Sequence, residues 1–116
     1  MESVNWNEIP EDRLIGGIRR RIVTGEKVML GKMYFPKGSK VPSHVHESEQ
    51  VTNVLEGKLL FVINGQQITV SSGETLVIPS NVEHSAEALE ETSEIDTFSP
   101  IRTDWLDGSD SYLREN

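Results

Sequence analysis

No cysteine occurs among the 116 residues. That removes disulfide staples, thiolate metal sites and a cysteine nucleophile. Hydrophobic residues make up only 35% and aromatic residues 6%, enough for one modest core but not two. No apolar run approaches the roughly 20 residues that cross a bilayer. Met1 to Trp6 offers neither a basic stretch nor an apolar one, so no secretory signal is expected, and the expected location is the cytoplasm. Positive charge is also scarce: 11 Lys and Arg stand against 19 Asp and Glu, a formal net charge of −8. Nucleic acid demands a basic footprint, so neither nucleic acid nor a membrane is an expected partner. The surplus of acid serves solubility. It still permits a small anionic substrate, because screening limits the global field to roughly 8 Å. A local arginine or cation can then dominate inside a pocket.

Helical periodicity is missing as well. β-Branched residues are dense, and Gly or Pro interrupts every window. Short strands are expected at 27–36, 41–46, 49–55, 58–63, 66–70, 75–78, 84–89 and 93–98, with an earlier one around Arg19, Arg20 and Arg21. Asn64-Gly65 gives a strong hairpin signal, since both residues tolerate positive φ. Turn signals at roughly 8–12-residue spacing point to an all-β sandwich or barrel. A turn of helix is expected within 5–15 and another in a C-terminal arm holding Trp105, Leu106 and Tyr112.

What the chain does have is three histidines in two short motifs. Gly38-Ser-Lys-Val-Pro-Ser-His44-Val-His46-Glu-Ser-Glu-Gln50 leads on to Gly57. Gly73-Glu-Thr-Leu-Val-Ile-Pro79-Ser-Asn81-Val-Glu-His84 follows. Side chains at i and i+2 of a strand share a face, so His44 and His46 can enter one cavity. Gln50 and His84 can join them from neighbouring strands. Imidazole suits several transition metals, and one divalent ion (nickel, zinc, manganese or iron) is the expected cofactor. Gln50 would offer a neutral carbonyl oxygen; the alternative is three histidines plus water. Either set leaves open positions, as a catalytic site requires.

These two motifs resemble those of the cupin superfamily, whose fold is a single antiparallel jelly-roll β-barrel of two sheets. Gln50 stands where that family usually has Glu, Asn81 replaces a Gly, and Ala88 replaces a final Asn. The resemblance implies an N-terminal segment with the first strands at 1–29, a barrel core at 30–100 and a C-terminal arm at 101–116. Further on, Asp96-Thr97-Phe98-Ser99-Pro100-Ile101-Arg102 and Asp104-Trp105-Leu106 resemble the C-terminal signature of KdgF proteins, which also carry Gln at the position of Gln50. Those proteins convert 4,5-unsaturated monouronates into linear keto-uronates. The resemblance implies His44, His46, Gln50 and His84 as metal ligands. It also implies Asp96, Phe98 and Arg102 as substrate-site residues, acting on a small anionic sugar in a homodimer.

The residues themselves leave alternatives open. Asp96 can move protons in a tautomerisation or close the barrel end with a hydrogen bond. Phe98 can be core or substrate wall. Arg102 can grip a carboxylate through two parallel hydrogen bonds or pair with Asp104. Of the basic run, Arg20 alternates away from Arg19 and Arg21, so one side can reach the pocket mouth; a solvated or interface face is the expectation for the run. Met29 and Met33 read as packing residues, while Trp6 and Trp105 read as covers of the barrel or an interface. Two other functions share this scaffold: a dioxygenase using the three histidines, and a sugar- or metal-binding module without catalysis. A module of that kind usually accompanies a second domain, for which the chain leaves no expected room.

Overall fold

The computed structural model describes residues 1–114, and ten strands lie among them. They are β1 (Asp12–Arg13), β2 (Arg19–Thr24), β3 (Met29–Phe35), β4 (Lys40–His44), β5 (Glu49–Glu56), β6 (Lys58–Ile63), β7 (Gln66–Ser71), β8 (Thr75–Ile78), β9 (His84–Ala88) and β10 (Thr92–Ser99). Every pairing is antiparallel. One sheet has the order β1-β2-β3-β10-β5-β8 and the other β4-β9-β6-β7. The fold is all-β, a jelly-roll barrel of two facing sheets. Among the described residues, no helix is long and apolar enough to cross a membrane.

Period-two alternation decides which side chains the barrel encloses. In β3, Met29, Gly31, Met33 and Phe35 face inward; in β10, Thr92, Glu94, Asp96 and Phe98 do so. Leu59 and Phe61 of β6 meet them from the other sheet. Each such large apolar side chain contributes about 1.5–3 kcal/mol when fully buried. Met29 and Met33 belong to this core. Buried polar groups, Gln50 and Thr52 of β5, His84 of β9 and Glu94 and Asp96 of β10, share this interior with the apolar side chains.

Turn chemistry matches the sequence. Asn64 and Gly65 adopt φ of 48° and 80°, and the register Ile63↔Gln66 closes the two-residue hairpin between β6 and β7. That left-handed pair fits the twist of the flanking strands. Asn81 also takes positive φ, at 61°, where the related motif has Gly. The N-terminal segment contains 3₁₀ turns at Trp6–Glu8 and Ile15–Gly17.

Two expectations need correction. The strand expected through His46 ends at His44, so His46 lies in the connection to β5 and reaches the site from a loop. Arg20 is not on a solvated face: it is 0% exposed. β2 turns it inward, where it pairs with Asp12 at 3.1 Å and Asp110 at 2.8 Å. Its guanidinium also lies 4.3 Å from the Trp105 ring centroid.

That pairing fastens the C-terminal arm. After β10 the chain forms α1 (Thr103–Asp107) and a 3₁₀ turn at Ser111–Leu113. Residues 115–116 of the expected arm lie outside the described residues. Trp105 lies directly over Gly31: a Cβ there would come within 2.6 Å of the ring. Glycine at 31 is thus required by the indole. Asp110 accepts from both Arg20 and Arg114, and Leu113 is buried.

Candidate metal centre and substrate cavity

His44 and His84 face each other across β4 and β9 as register partners. His46 joins them, and one ring nitrogen of each histidine lies within 4.8 Å of the others. The three Nδ1 atoms are committed in the same way. His44 Nδ1 is 2.8 Å from the Pro42 carbonyl, His46 Nδ1 2.8 Å from that of Ser48, and His84 Nδ1 2.8 Å from that of Val82. A carbonyl only accepts, so each Nδ1 carries the hydrogen. Each Nε2 of a neutral ring then presents a lone pair.

The rings are held neutral. Burial pushes His44 down to about 3, with smaller contributions from His84, His46 and Arg102. Burial, then Arg102 and His84, push His46 down to about 4. His84 is lowered too, again chiefly by burial. The three rings therefore stay unprotonated and ready to coordinate at neutral pH.

Gln50 brings an amide oxygen beside the three histidines. Its Nε2 donates to Thr52 Oγ1 at 2.9 Å and to Asp96 Oδ1 at 3.3 Å. Those bonds turn its Oε1 to within 3.1 Å of His46 Nε2. Two lone-pair atoms thus face each other, and the buried His84 Nε2 has no hydrogen-bond partner. A cation among these atoms relieves both tensions. The donor set, three imidazoles and one amide oxygen, fits a divalent transition ion.

One cavity beside the histidines brings together His44, Gln50, His84, Asp96, Phe98 and Arg102. His46 borders it edge-on to Phe98, with ring centroids 5.7 Å apart. Phe98 is both core and wall, since it also packs 4.8 Å from the Trp105 ring. Asp96 accepts from Thr52 Oγ1 at 2.6 Å. Burial raises its pKa above the ordinary value, against the pull of its hydrogen bonds and of Arg102. Arg102 is paired with Asp104 through Nε–Oδ1 at 3.1 Å and Nη2–Oδ2 at 2.7 Å. The edge that would grip a substrate carboxylate with two parallel bonds is therefore occupied.

Three further residues belong to this site. Thr52 links Gln50 to Asp96. Glu94 lines the cavity two residues before Asp96. Burial, reinforced by the neighbouring Asp96 carboxyl, pushes it well above the usual carboxylate range. Alternation applied two residues further along β5 and β10 would have found both. Tyr112 stacks on His44, with centroids 4.3 Å apart and planes at 16°. Its burial raises its pKa, so it keeps its proton. No local pattern marks it, since the arm's path decides its position.

Comparison with known proteins agrees with this geometry. Residues 31–95 match the family model described as "Cupin domain". The pectin degradation protein KdgF of Dickeya dadantii is 35% identical over 103 residues, covering 86% of this chain and 94% of that protein. The structure of KdgF from Halomonas sp. superimposes with a TM-score of 0.79 at 31% identity, covering 85% of this chain and 94% of that one. An RmlC-like cupin from Shewanella frigidimarina gives a TM-score of 0.84 at 27% identity, covering 90% and 96%. Agreement of this breadth, in sequence and in fold alike, makes the chain a member of the cupin family with a particular likeness to KdgF.

Proposed function

We propose that this protein converts 4,5-unsaturated monouronates, of the kind released in pectin breakdown, into linear keto-uronates. The observation that carries the reading is the single cavity in which Asp96, Phe98 and Arg102 meet the metal-binding histidines. Likeness to KdgF along nearly its full length supports the choice of chemistry.

His44, His46, His84 and Gln50 would hold the divalent ion, which when bound supplies Lewis acidity toward the anionic oxygens of the substrate. The remaining work falls to the chain's own groups. Arg102, 4% exposed and flanked by Phe98 and Trp105, offers fixed positive charge to the substrate carboxylate. Asp96 moves protons. The C1 hydroxyl gives up a proton, the C1–ring-oxygen bond breaks, and C4 gains a proton as the C5 ketone forms. Nothing is oxidised or lost overall, so one acid–base group serves both transfers. Asp96 suits this role because it lies in the cavity and burial raises its pKa above the ordinary carboxylate value. Phe98 and the surrounding aromatic rings limit water around the opened sugar.

The test is turnover of fresh unsaturated galacturonate by metal-loaded protein, followed as loss of alkene ultraviolet absorbance. Loss above the spontaneous rate that vanishes in His44→Ala supports the reading. A rate equal to background, with metal bound, rules out this substrate. An Asp96→Ala protein at full rate removes the proton-transfer role. The reading also carries a homodimer. β8 ends the six-stranded sheet with Val77 exposed, and a free edge invites pairing. Sedimentation equilibrium at twice 13.0 kDa is expected.

A further inference from the structure

Arg102 and Tyr112 both line the cavity, and the hydrogen bonds around them leave a defined remainder. A guanidinium has five N–H donors. Asp104 takes one from Nε and one from Nη2. The other Nη2 hydrogen goes to Tyr112 Oη at 2.6 Å. The Nη1 hydrogens make no hydrogen bond among the described residues. Tyr112 Oη accepts from Arg102 and also, at 3.3 Å, from Trp105 Nε1. A hydroxyl that already accepts twice has only its own proton to offer, and that proton has no acceptor among the described residues. The stack on His44 fixes the ring beside the histidine cluster. The buried Asp110 pairs with Arg20 and Arg114 and holds the arm that carries Tyr112.

We propose that Tyr112 is a substrate-binding residue whose O–H, together with the Nη1 hydrogens of Arg102, forms a two-pronged donor cradle for the carboxylate of a sugar acid. This rests on the reading above that the ligand is a uronate. A carboxylate accepts from several directions and bonds most strongly to donors near positive charge. Asp104 acts as a positioning residue: by taking the Nε/Nη2 edge, it leaves Nη1 and the tyrosine proton as the available donors. A neutral sugar offers only uncharged hydroxyl oxygens to these donors, and such bonds are about half as strong as those to a carboxylate.

The test is calorimetric titration of metal-loaded wild type and Tyr112→Phe with saturated D-galacturonate and with galactose. Tyr112→Phe keeps the ring and its stack. Its melting temperature and metal content are measured first. Galacturonate should bind about tenfold more weakly to the variant, while galactose binds equally weakly to both proteins. Equal galacturonate affinity in the two proteins overturns the cradle, as does a wild type with no preference for galacturonate over galactose. Wild-type turnover of unsaturated galacturonate is followed in parallel. Turnover with an unchanged variant affinity sinks the cradle and leaves the ring-opening reading. A tenfold loss without turnover does the reverse. A second readout needs no variant at residue 112. In protein labelled at tyrosine ¹³Cζ, which has two tyrosines, the Tyr112 resonance should shift with galacturonate and not with galactose. An unmoved resonance overturns the proposal.

Discussion

Replacing Thr52 by Val should weaken metal binding although Thr52 is not a ligand. The two side chains are nearly isosteric, and the site is 0% exposed, so the change is confined to one hydroxyl. That hydroxyl accepts from Gln50 Nε2 at 2.9 Å and donates to Asp96 Oδ1 at 2.6 Å. Losing the bond to the carboxylate costs about 1.5–3 kcal/mol, and the weakened Gln50 donor adds about 1 kcal/mol. The extra buried methyl returns about 0.8 kcal/mol. The net loss is about 2–3 kcal/mol, a fall in melting temperature of roughly 10 °C for a domain of this size. Gln50 then keeps only its 3.3 Å bond to Asp96, and its Oε1 is no longer held toward His46. Groups that orient ligands typically change metal affinity by about 10–100-fold. Competition between the protein and a chromophoric chelator measures this directly, with chemical denaturation reporting stability separately. Wild-type metal affinity in a folded Thr52→Val protein would refute the claim that Thr52 aims Gln50 at the ion.

The other predictions probe different parts of the barrel. Burial raises Glu94 well above the ordinary glutamate value of 4.5, so the folded state holds an extra proton between 4.5 and that raised value. Its contribution is complete below 4.5 and is lost as pH rises through the window. Chelator-treated Glu94→Gln should therefore show a flatter stability–pH curve and gain about 1 kcal/mol or more at neutral pH; a slope identical to wild type in urea titrations sinks this. Gly31→Ala places a methyl within 2.6 Å of Trp105 and should cost about 1–3 kcal/mol by overpacking. A red shift in tryptophan emission should accompany it, and an unchanged urea midpoint would contradict the close approach. Asp110→Asn leaves the buried Arg20 with Asp12 alone and should destabilise by about 3 kcal/mol. Limited proteolysis should then cut the C-terminal arm first, whereas uniform resistance would show that Leu113 and Trp105 hold it unaided.

The placement of most strands along the chain was legible because alternation and turn chemistry are local. Asn64-Gly65 tolerates positive φ from its own chemistry, and β3 and β10 bury every second residue as a two-faced strand must. The histidines were legible through motif spacing, yet His46 arrives from a loop rather than from strand alternation. Glu94 and Thr52 were within reach of the same period-two argument, because each sits two residues from a recognised site residue on a strand.

Other features depended on where distant segments meet. The run Arg19 to Arg21 read as a solvated or interface face, yet Asp110, ninety positions after Arg20, pairs with it in the interior. Arg102 read either as a carboxylate clamp or as a partner of Asp104, and the fold decided by dividing its donors between Asp104 and Tyr112. Sequence by itself determined the sheet-forming pattern, the hairpin and the metal-binding residue types, since period, φ preference and ligand chemistry belong to single residues and their near neighbours. Tertiary structure alone decided which buried charges are paired, which way Gln50 turns and which tyrosine joins the site. Those outcomes depend on long-range proximity and on which hydrogen-bond donors remain once every closer partner has been satisfied.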